Sequence, residues 1–291
     1  MSFPYQKVLI IGATSGIGKS LATKLVENGI RVVVAGRRKE NLDAFVAQHG
    51  SDKVDSAVFD VMQLEKVRAL LTLTPQKTPP LTLGPKQIPE FAASITTAHP
   101  DLDCIFVNSG IQRPFDFARP ETVDLDIFDQ ELITNYTSAV RLTKAFLPHL
   151  QQLPRQTALV YTTSQMALVP MMRCPNYGAS KAALHHFILA LRTQLSEGAQ
   201  GDVRVLEIYP PAVQTELHDA KHQPDLKDGH LIGMPLQEFV DEVWARLAKG
   251  ENQIPVGSAA DIFQAFEVKR QELYKGMTEL LSGLLKQFLR E

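Results

Sequence analysis

Two side chains with complementary acid–base chemistry, Tyr177 and Lys181, lie four residues apart and directly before an apolar run. On a helix they project from the same face, one turn apart. A phenol has an ordinary pKa near ~10, and a neighbouring ammonium favours the phenolate and lowers that pKa. The pair could therefore move a proton to or from an oxygen atom. A surface tyrosine and lysine on an ordinary amphipathic helix is the alternative, and the rest of the chain must decide.

Length and composition describe an ordinary globular protein. The 291 residues are 44% apolar and 21% charged, with a formal charge of −2, which gives no sign of a nucleic-acid surface. Two cysteines make no disulfide framework and fit a reducing compartment. Residues 4–7 interrupt any secretory signal, and no apolar run is long enough to span a bilayer. We therefore expect a cytoplasmic protein without membrane or nucleic-acid partners.

A phosphate-binding turn is predicted near the start of the chain. Val8 to Ile11 is typical of a buried parallel strand, and a helical pattern begins after the glycine-rich segment that follows. Glycines let the backbone approach a ligand, and the helix N-terminus offers free N–H groups. The alternative is a tight turn that only packs helix on strand. The segment holds Gly12, Ser15, Gly16, Ile17 and Gly18.

The ends of the next two strands predict the cofactor type. Residues 31–35 form a second buried strand, after which Arg37 stands where an acidic residue would bind the ribose of NAD. A guanidinium could instead pair with the 2′-phosphate of NADP, unless it belongs to a solvated loop. A third strand, 54–59, leads to Asp60 and Val61, where the carboxylate could meet adenine or cap the following helix.

Three later strands carry polar residues to the same sheet edge. Strand 103–107 precedes Asn108 and Gly110; strand 158–164 ends on Ser164; strand 203–209 precedes Val213 and Thr215. A long helical segment, 121–150, contains Asn135, a poor helix former that invites a reason. Alternating strands and helices predict an α/β, Rossmann-type doubly wound parallel sheet in three αβα layers, one domain spanning 1–291.

Three segments stand outside this pattern. Five prolines make 71–89 a predicted insertion loop, or else an ordered flap. The polar stretch 216–235 predicts a mobile cover over the crevice, and its three histidines match no metal-ligand spacing. The segment 258–291 predicts a helical extension with an apolar stripe, packed on the protein's own core or on a second subunit. That stripe comprises Leu280, Leu281, Leu284, Leu285, Phe288 and Leu289.

Residues 6 to 257 closely resemble the short-chain dehydrogenase/reductase family. The spacing of Ser164, Tyr177 and Lys181 is the most specific part of the resemblance, and the Gly-x-x-x-Gly-Ile-Gly turn is the next. The segment 209–215 is similar to the DltE-like bacterial and fungal oxidoreductases. The resemblance implies an NADP(H)-dependent enzyme that interconverts a carbonyl and an alcohol, and a homodimer or homotetramer.

The resemblance also implies roles for single residues. Tyr177 would be the general acid/base, Ser164 would hydrogen-bond the substrate oxygen, and Lys181 would bind the nicotinamide ribose and lower the pKa of Tyr177. Asn135 would hold a water that links Lys181 to solvent. The cofactor would be held by Gly12, Ser15, Gly16, Ile17, Gly18, Arg37, Asp60, Val61, Asn108, Gly110, Val213 and Thr215.

The chain departs from the family pattern at three places. The family usually has Thr where this chain has Ile11, and Asn-Ala-Gly or Asn-Asn-Ala-Gly where it has Asn108-Ser109-Gly110, so a tether of that second turn would be missing. After the sixth strand, Pro210-Pro211 replaces the usual Pro-Gly. A non-catalytic NADP-binding sensor or scaffold is the alternative, although it would have no need of the Tyr177 phenol. A serine hydrolase built on Ser164 lacks the Gly-x-Ser-x-Gly elbow.

Overall fold

Seven parallel strands form a single sheet in the computed structural model, which describes residues 3–62, 87–198, 200–285 and 288. Their order is β3-β2-β1-β4-β5-β6-β7, so the direction of strand progression reverses between β1 and β4. In such sheets ligands bind outside the carboxyl ends of the strands at this reversal. The strands are β1 Lys7–Ile11, β2 Arg31–Gly36, β3 Val54–Val58, β4 Cys104–Val107, β5 Thr157–Thr162, β6 Val203–Tyr209 and β7 Gln253–Pro255.

Successive strand side chains point to opposite faces of the sheet, and the buried strands are apolar at nearly every position. Both faces are therefore apolar, and helices cover both. On one face α1 (Gly16–Glu27), α2 (Lys39–His49) and α7 (Leu236–Ala248) pack over Val8 and Ile10. The other face is covered by α3 (Gln87–Ala98), α5 (Ser138–Gln152) and α6 (Pro175–Glu197). The predicted three-layer, doubly wound α/β fold is confirmed.

Two predicted segments have different boundaries. The first is the proline-rich insertion 71–89, of which residues 71–86 lie outside the described part of the chain. Residues 87–89 belong to α3, and Pro89 lies in the first turn of that helix, where proline is tolerated. The second, predicted as one helix over 121–150, is a short 3₁₀ turn (Pro120–Thr122) and then α4 (Leu125–Leu132), a π-helical turn (Ile133–Thr137) and α5. The side chain of Asp124 caps α4.

The C-terminal segment is helical, as expected, in three pieces. These are α8 (Ser258–Ile262), a π-helical turn (Phe263–Glu267) and α9 (Val268–Leu285). Ala259 and Phe263 pack on Tyr209. Four side chains of the predicted stripe are exposed and do not pack on the described part of the protein's own core: Leu280, Leu281, Leu284 and Phe288. Their packing on a second subunit stays a prediction. Leu289 and the side chain of Leu285 lie outside the described part of the chain.

The segment 216–235 contains two short 3₁₀ turns, Glu216–His218 and Gly229–Leu231, and runs across the mouth of the crevice. Among the described residues, no helix has the length and apolarity needed to cross a membrane.

Candidate active site

A cleft of about 480 Å³ opens at the carboxyl edge of the sheet, where the strand order reverses. One end is lined by the glycine turn after β1, and the other by Tyr177 and Lys181 of α6. Strand order therefore brings together residues that are more than 160 positions apart in the sequence. Of the predicted site residues, the cleft is lined by Gly12, Ser15, Gly16, Ile17, Arg37, Val61, Asn108, Gly110, Tyr177, Lys181, Val213 and Thr215.

The glycine turn is built so that a ligand can approach the N-terminus of α1. Gly12 and Gly16 have φ values of +90° and +52°, which favour glycine. A Cβ atom on Gly18 would lie 2.2 Å from the carbonyl oxygen of Gly12, so this glycine lets α1 pack against the turn instead of lining the cleft. Ser15, at the N-cap position, makes no side-chain bond to the first helical N–H groups. Those donors and the dipole of α1 suit a pyrophosphate.

Asn108 supplies the tether that Ile11 cannot. Its side-chain amide donates to the carbonyl of Gly12 at 3.1 Å, and its side-chain oxygen accepts a bond from the Thr162 hydroxyl at 2.9 Å. Ile11 itself is buried in the core, and its carbonyl accepts the backbone N–H of Asn108 at 3.0 Å. The turn after β1 is thus fixed to β4 and β5 without the threonine usual in the family. Thr162 has no motif to mark it in the sequence.

Arg38, the neighbour of the predicted Arg37, makes the contacts at the mouth of the cleft. Its guanidinium donates to the hydroxyls of Thr14 and Ser15, at 3.0 and 2.5 Å, and to Glu216 at 2.8 Å. Arg37 also lines the cleft, but its side chain is exposed. The sequence shows two arginines at the end of β2, and only the chain's path into α2 determines which one turns toward the glycine turn.

Asp60 does not line the cleft, whereas its neighbours Phe59, Val61 and Met62 do. Its carboxylate accepts the backbone N–H of Met62 at 2.9 Å, so it fixes the turn after β3. The predicted helix that Asp60 would cap lies outside the described residues, and the adenine contact predicted for Asp60 stays a prediction. Of the predicted pair Asp60 and Val61, Val61 lines the cleft.

Tyr177 and Lys181 line the inner end of the cleft, whereas Ser164, a hydrogen-bond partner of Tyr177, does not line it. The ammonium of Lys181 lies 5.7 Å from the centre of the Tyr177 ring and donates to the carbonyl of Thr162 at 2.8 Å. Ser164 follows β5 at the start of a 3₁₀ turn (Gln165–Ala167), and its oxygen accepts the N–H of Met166 at 3.1 Å. All three side chains are buried.

The pKa shifts in this cluster differ from the sequence expectation. Burial raises the pKa of Tyr177 above its usual value, and a hydrogen bond with Ser164 offsets this only in part. The predicted lowering of the Tyr177 pKa by Lys181 is therefore wrong for this structure, since the ammonium is directed to Thr162. Burial also lowers the pKa of Lys181 to about 8, against the opposing charges of Glu131 and Glu207.

Asn135 lies in the π-helical turn and is fully engaged by protein groups. Its side-chain oxygen accepts the N–H of Ile111, and its amide donates to the carbonyl of Ile111 and to Ser180 of α6 at 3.0 Å. It does not line the cleft. A Cβ atom on Gly110 would lie 3.4 Å from the Asn135 side-chain oxygen and 3.5 Å from the Lys181 ammonium. The glycine therefore keeps the space between these two groups open.

Glu131, one turn before Asn135, is a buried acid that the sequence did not single out. One carboxylate oxygen accepts the N–H of Arg113 at 2.7 Å, and the other has no hydrogen-bond partner among the described residues. Burial raises the pKa of Glu131 to about 7, and the hydrogen bond from Arg113 offsets this only in part. Glu131 and Asn135 together hold the segment 111–113, of which Ile111 and Arg113 line the cleft.

The cover segment, 216–235, packs against the segment 111–113. Gln223 is buried; its amide donates to the Gln112 side chain at 2.9 Å, and its oxygen accepts a bond from Arg173. Arg173 also pairs with Asp225 at 2.7 Å. Leu217 and His218 contribute to the cleft lining. Over the residues that the structure places, no group of three or more His, Cys, Asp or Glu could hold a metal ion.

Comparison with known proteins agrees with this geometry. The short chain dehydrogenase family model matches residues 6–83 and 81–225. The chain is 31% identical to the uncharacterized oxidoreductase DltE of Bacillus subtilis, over 87% of this chain and 89% of that protein. Its fold is similar to a short-chain dehydrogenase from Sphingobium yanoikuyae in complex with NADPH (TM-score 0.71, 22% identity, coverage 93% and 95%). A Burkholderia phymatum relative in complex with NAD has TM-score 0.70 at 18% identity, with coverage of 87% and 89%. The chain therefore belongs to the short-chain dehydrogenase family of oxidoreductases.

Proposed function

We propose that this protein is an NADP(H)-dependent oxidoreductase that interconverts a carbonyl and an alcohol on a small molecule, with Tyr177 as general acid/base. One observation carries the proposal: Tyr177 and Lys181 line the inner end of the same cleft whose outer end is the glycine turn. A cofactor laid along the cleft would bring its reactive ring to the phenol. When bound, NADPH supplies the hydride for reduction of the carbonyl carbon.

The cofactor would be held at both ends of the cleft. The N-terminus of α1, with Ser15, Gly16 and Ile17, suits the pyrophosphate, and Val61 suits the adenine. Val213 and Thr215, after β6, lie where the nicotinamide end would reach. Lys181, one turn from Tyr177, would bind the ribose beside that ring.

The protein's own groups move and hold the proton. Tyr177 donates its hydroxyl proton to the carbonyl oxygen on reduction and takes the proton back from the alcohol on oxidation. Its raised pKa keeps the phenol in the protonated form that reduction requires. Ser164 hydrogen-bonds the same substrate oxygen and fixes its distance from the phenol. The open space between Gly110, Asn135 and Lys181 suits a water that returns the proton to Tyr177 through Lys181.

The preference for NADP rests on the arginines. Arg38 donates to two hydroxyls of the glycine turn and to a carboxylate, and this position would bring its guanidinium beside the ribose of a bound adenosine. A 2′-phosphate would offer it a second anionic partner, with Arg37 on the solvent side. Solved structures of similar fold include a complex with NADPH and a complex with NAD. The fold alone therefore does not determine the cofactor, and the preference depends on these side chains.

The test uses the purified protein, NADPH, and a panel of ketones, aldehydes and quinones. Oxidation of NADPH is expected with some of these carbonyls, and Tyr177→Phe should abolish it while the Kd of NADPH stays within about twofold. Turnover that persists in Tyr177→Phe would exclude the mechanism. A protein that binds NADPH and turns over no carbonyl would favour a sensor or scaffold.

We also propose a homodimer or homotetramer in the cytoplasm. The exposed apolar side chains of α9 support self-association, since a surface of this kind is costly to leave in water. Sedimentation that gives only monomer would reject the oligomer, and microscopy of the tagged protein tests the location.

A further inference from the structure

A cluster of charged side chains without solvent exposure lies directly behind the active site. His185, one helical turn after Lys181 on α6, stands between Glu207 of β6 and Glu267 of the C-terminal π-helical turn. The side chains of all three are fully buried. Burying two carboxylates costs free energy unless they are paired and hydrogen-bonded, so this cluster needs a structural or functional explanation.

The geometry fixes the charge of the imidazole. Nδ1 of His185 lies 2.8 Å from one carboxylate oxygen of Glu207, and Nε2 lies 2.9 Å from an oxygen of Glu267. A neutral imidazole has a single N–H, so its other nitrogen would present a lone pair to a carboxylate. Only the imidazolium donates to both partners. Burial opposes that charge, but the charge of Glu207 and the bonds to both carboxylates raise the pKa of His185.

Every element around His185 adds a charged or polar group. Glu207 also accepts bonds from the hydroxyls of Thr163 and Tyr209, each at 2.8 Å. Glu267 accepts bonds from Arg270 at 2.8 Å and Gln271 at 2.7 Å. Further charged or titratable groups face the cluster from α6: Lys181, His186 and Arg192. Among the described residues, four cations stand near the two carboxylates: His185, Lys181, Arg192 and Arg270.

Glu207 connects this cluster to the reacting groups. Thr163, which donates to Glu207, stands between Thr162 and Ser164. The carbonyl of Thr162 accepts the ammonium of Lys181, and Ser164 is the proposed ligand of the substrate oxygen. A shift of the Glu207 carboxylate would therefore move the strand end that fixes both Lys181 and Ser164.

We propose that His185, held as an imidazolium between Glu207 and Glu267, is a positioning residue of the active site. It fixes Glu207 behind Thr163, and through Glu267 it makes the C-terminal segment part of the support of Lys181 and Ser164. The expected effect on kcat rests on the proposed function, whereas the expected effect on hydrogen–deuterium exchange does not.

Glu267→Gln is the sharpest variant, because it leaves the His185–Glu207 pair in place. Glu272→Gln is its matched control: the same change on the same segment, at an exposed carboxylate that pairs with Lys269. Hydrogen–deuterium exchange is measured on peptides covering 162–164 and 177–185, with kcat and the NADPH Kd measured alongside. The expected result is faster exchange in both peptides and a kcat lower by about tenfold, the scale of one charged hydrogen bond, with Kd within about twofold.

The pH dependence separates positioning from general loss of structure. Protection of 177–185 in the wild type should fall as pH rises through the raised pKa of His185, and His185→Gln should remove this step. Exchange and kcat in Glu267→Gln that match those of Glu272→Gln would overturn the proposal, even if His185→Gln does not fold. A wild type without turnover would overturn the proposed function alone, since the exchange comparison would still decide this one.

Discussion

Arg38 offers the sharpest test of cofactor choice. Its replacement by alanine should weaken binding of NADPH much more than binding of NADH. An arginine–phosphate hydrogen bond with full charge is worth roughly 1.5–3 kcal/mol. The side chain of Arg38 is 36% exposed, so the lower half of that range applies. Binding must also release Arg38 from Glu216, an exposed ion pair worth roughly 0.2–1 kcal/mol.

The net loss for NADPH is about 0.5–2 kcal/mol, which is roughly 2- to 30-fold in Kd. Because Arg38 also bonds Thr14 and Ser15, alanine can loosen the glycine turn for either cofactor. The ratio of the two Kd values cancels that shared effect and isolates the 2′-phosphate. Titration of the cofactor fluorescence measures both constants on the same protein.

Arg37→Ala is the matched control, one position away and exposed. We expect its NADPH-to-NADH ratio to change by less than about threefold, the scale of a solvated surface charge. An Arg38→Ala protein with an unchanged ratio, or a larger change in Arg37→Ala, would refute the assignment of the 2′-phosphate to Arg38. Tighter NADPH binding in Glu216→Gln would add independent support, since the competing carboxylate charge is gone.

Three further outcomes follow from the same structure. Carbonyl reduction should decline as pH rises through about 8, because Lys181 then loses the proton that makes it a cation; kcat/KM against pH measures this. Gly18→Ala should abolish NADPH binding or folding, since the new Cβ atom would clash with the Gly12 carbonyl. Gly276→Ala, with open space around it in α9, should instead raise the free energy of unfolding by about 0.5–1 kcal/mol. Denaturant titration of both variants compares the two effects. Leu280→Glu should lower the oligomeric state in sedimentation, and an unchanged state would remove α9 from the interface.

The parallel sheet could be predicted because its signals are local. Val8 to Ile11 is apolar at every position, as a strand buried on both faces must be, and glycines follow at once. Each strand end then carries its polar residue to one edge, so Asn108, Ser164 and Thr215 could be grouped before any coordinates. The grouping needed only the rule that parallel strands end on the same side.

The side-chain contacts across the cleft could not be predicted in the same way. The choice between Arg37 and Arg38 depends on backbone direction at the start of α2, and no periodicity reports it. The tether from Thr162 to Asn108 joins residues 54 positions apart. The expectation for the Tyr177 pKa failed for a related reason: proximity in sequence gave the distance to Lys181, but burial and the direction of the ammonium determine the sign.

The two π-helical turns explain why the helix patterns gave approximate boundaries but did not show which polar side chains contact α6. A π-turn adds a residue to one turn of helix and so changes which side chains face a neighbour, and such turns are frequent at functional sites. In the first, Asn135 donates to Ser180 of α6; in the second, Glu267 accepts from His185 of the same helix. Each turn thus aims a buried polar side chain at the helix that carries Tyr177 and Lys181. The mid-helix asparagine was visible in the sequence as an anomaly, but its partner on α6 was 45 residues away. The helix that carries Tyr177 and Lys181 is therefore held by polar contacts from both π-helical turns. Under the proposed function, those contacts would position the phenol toward a substrate.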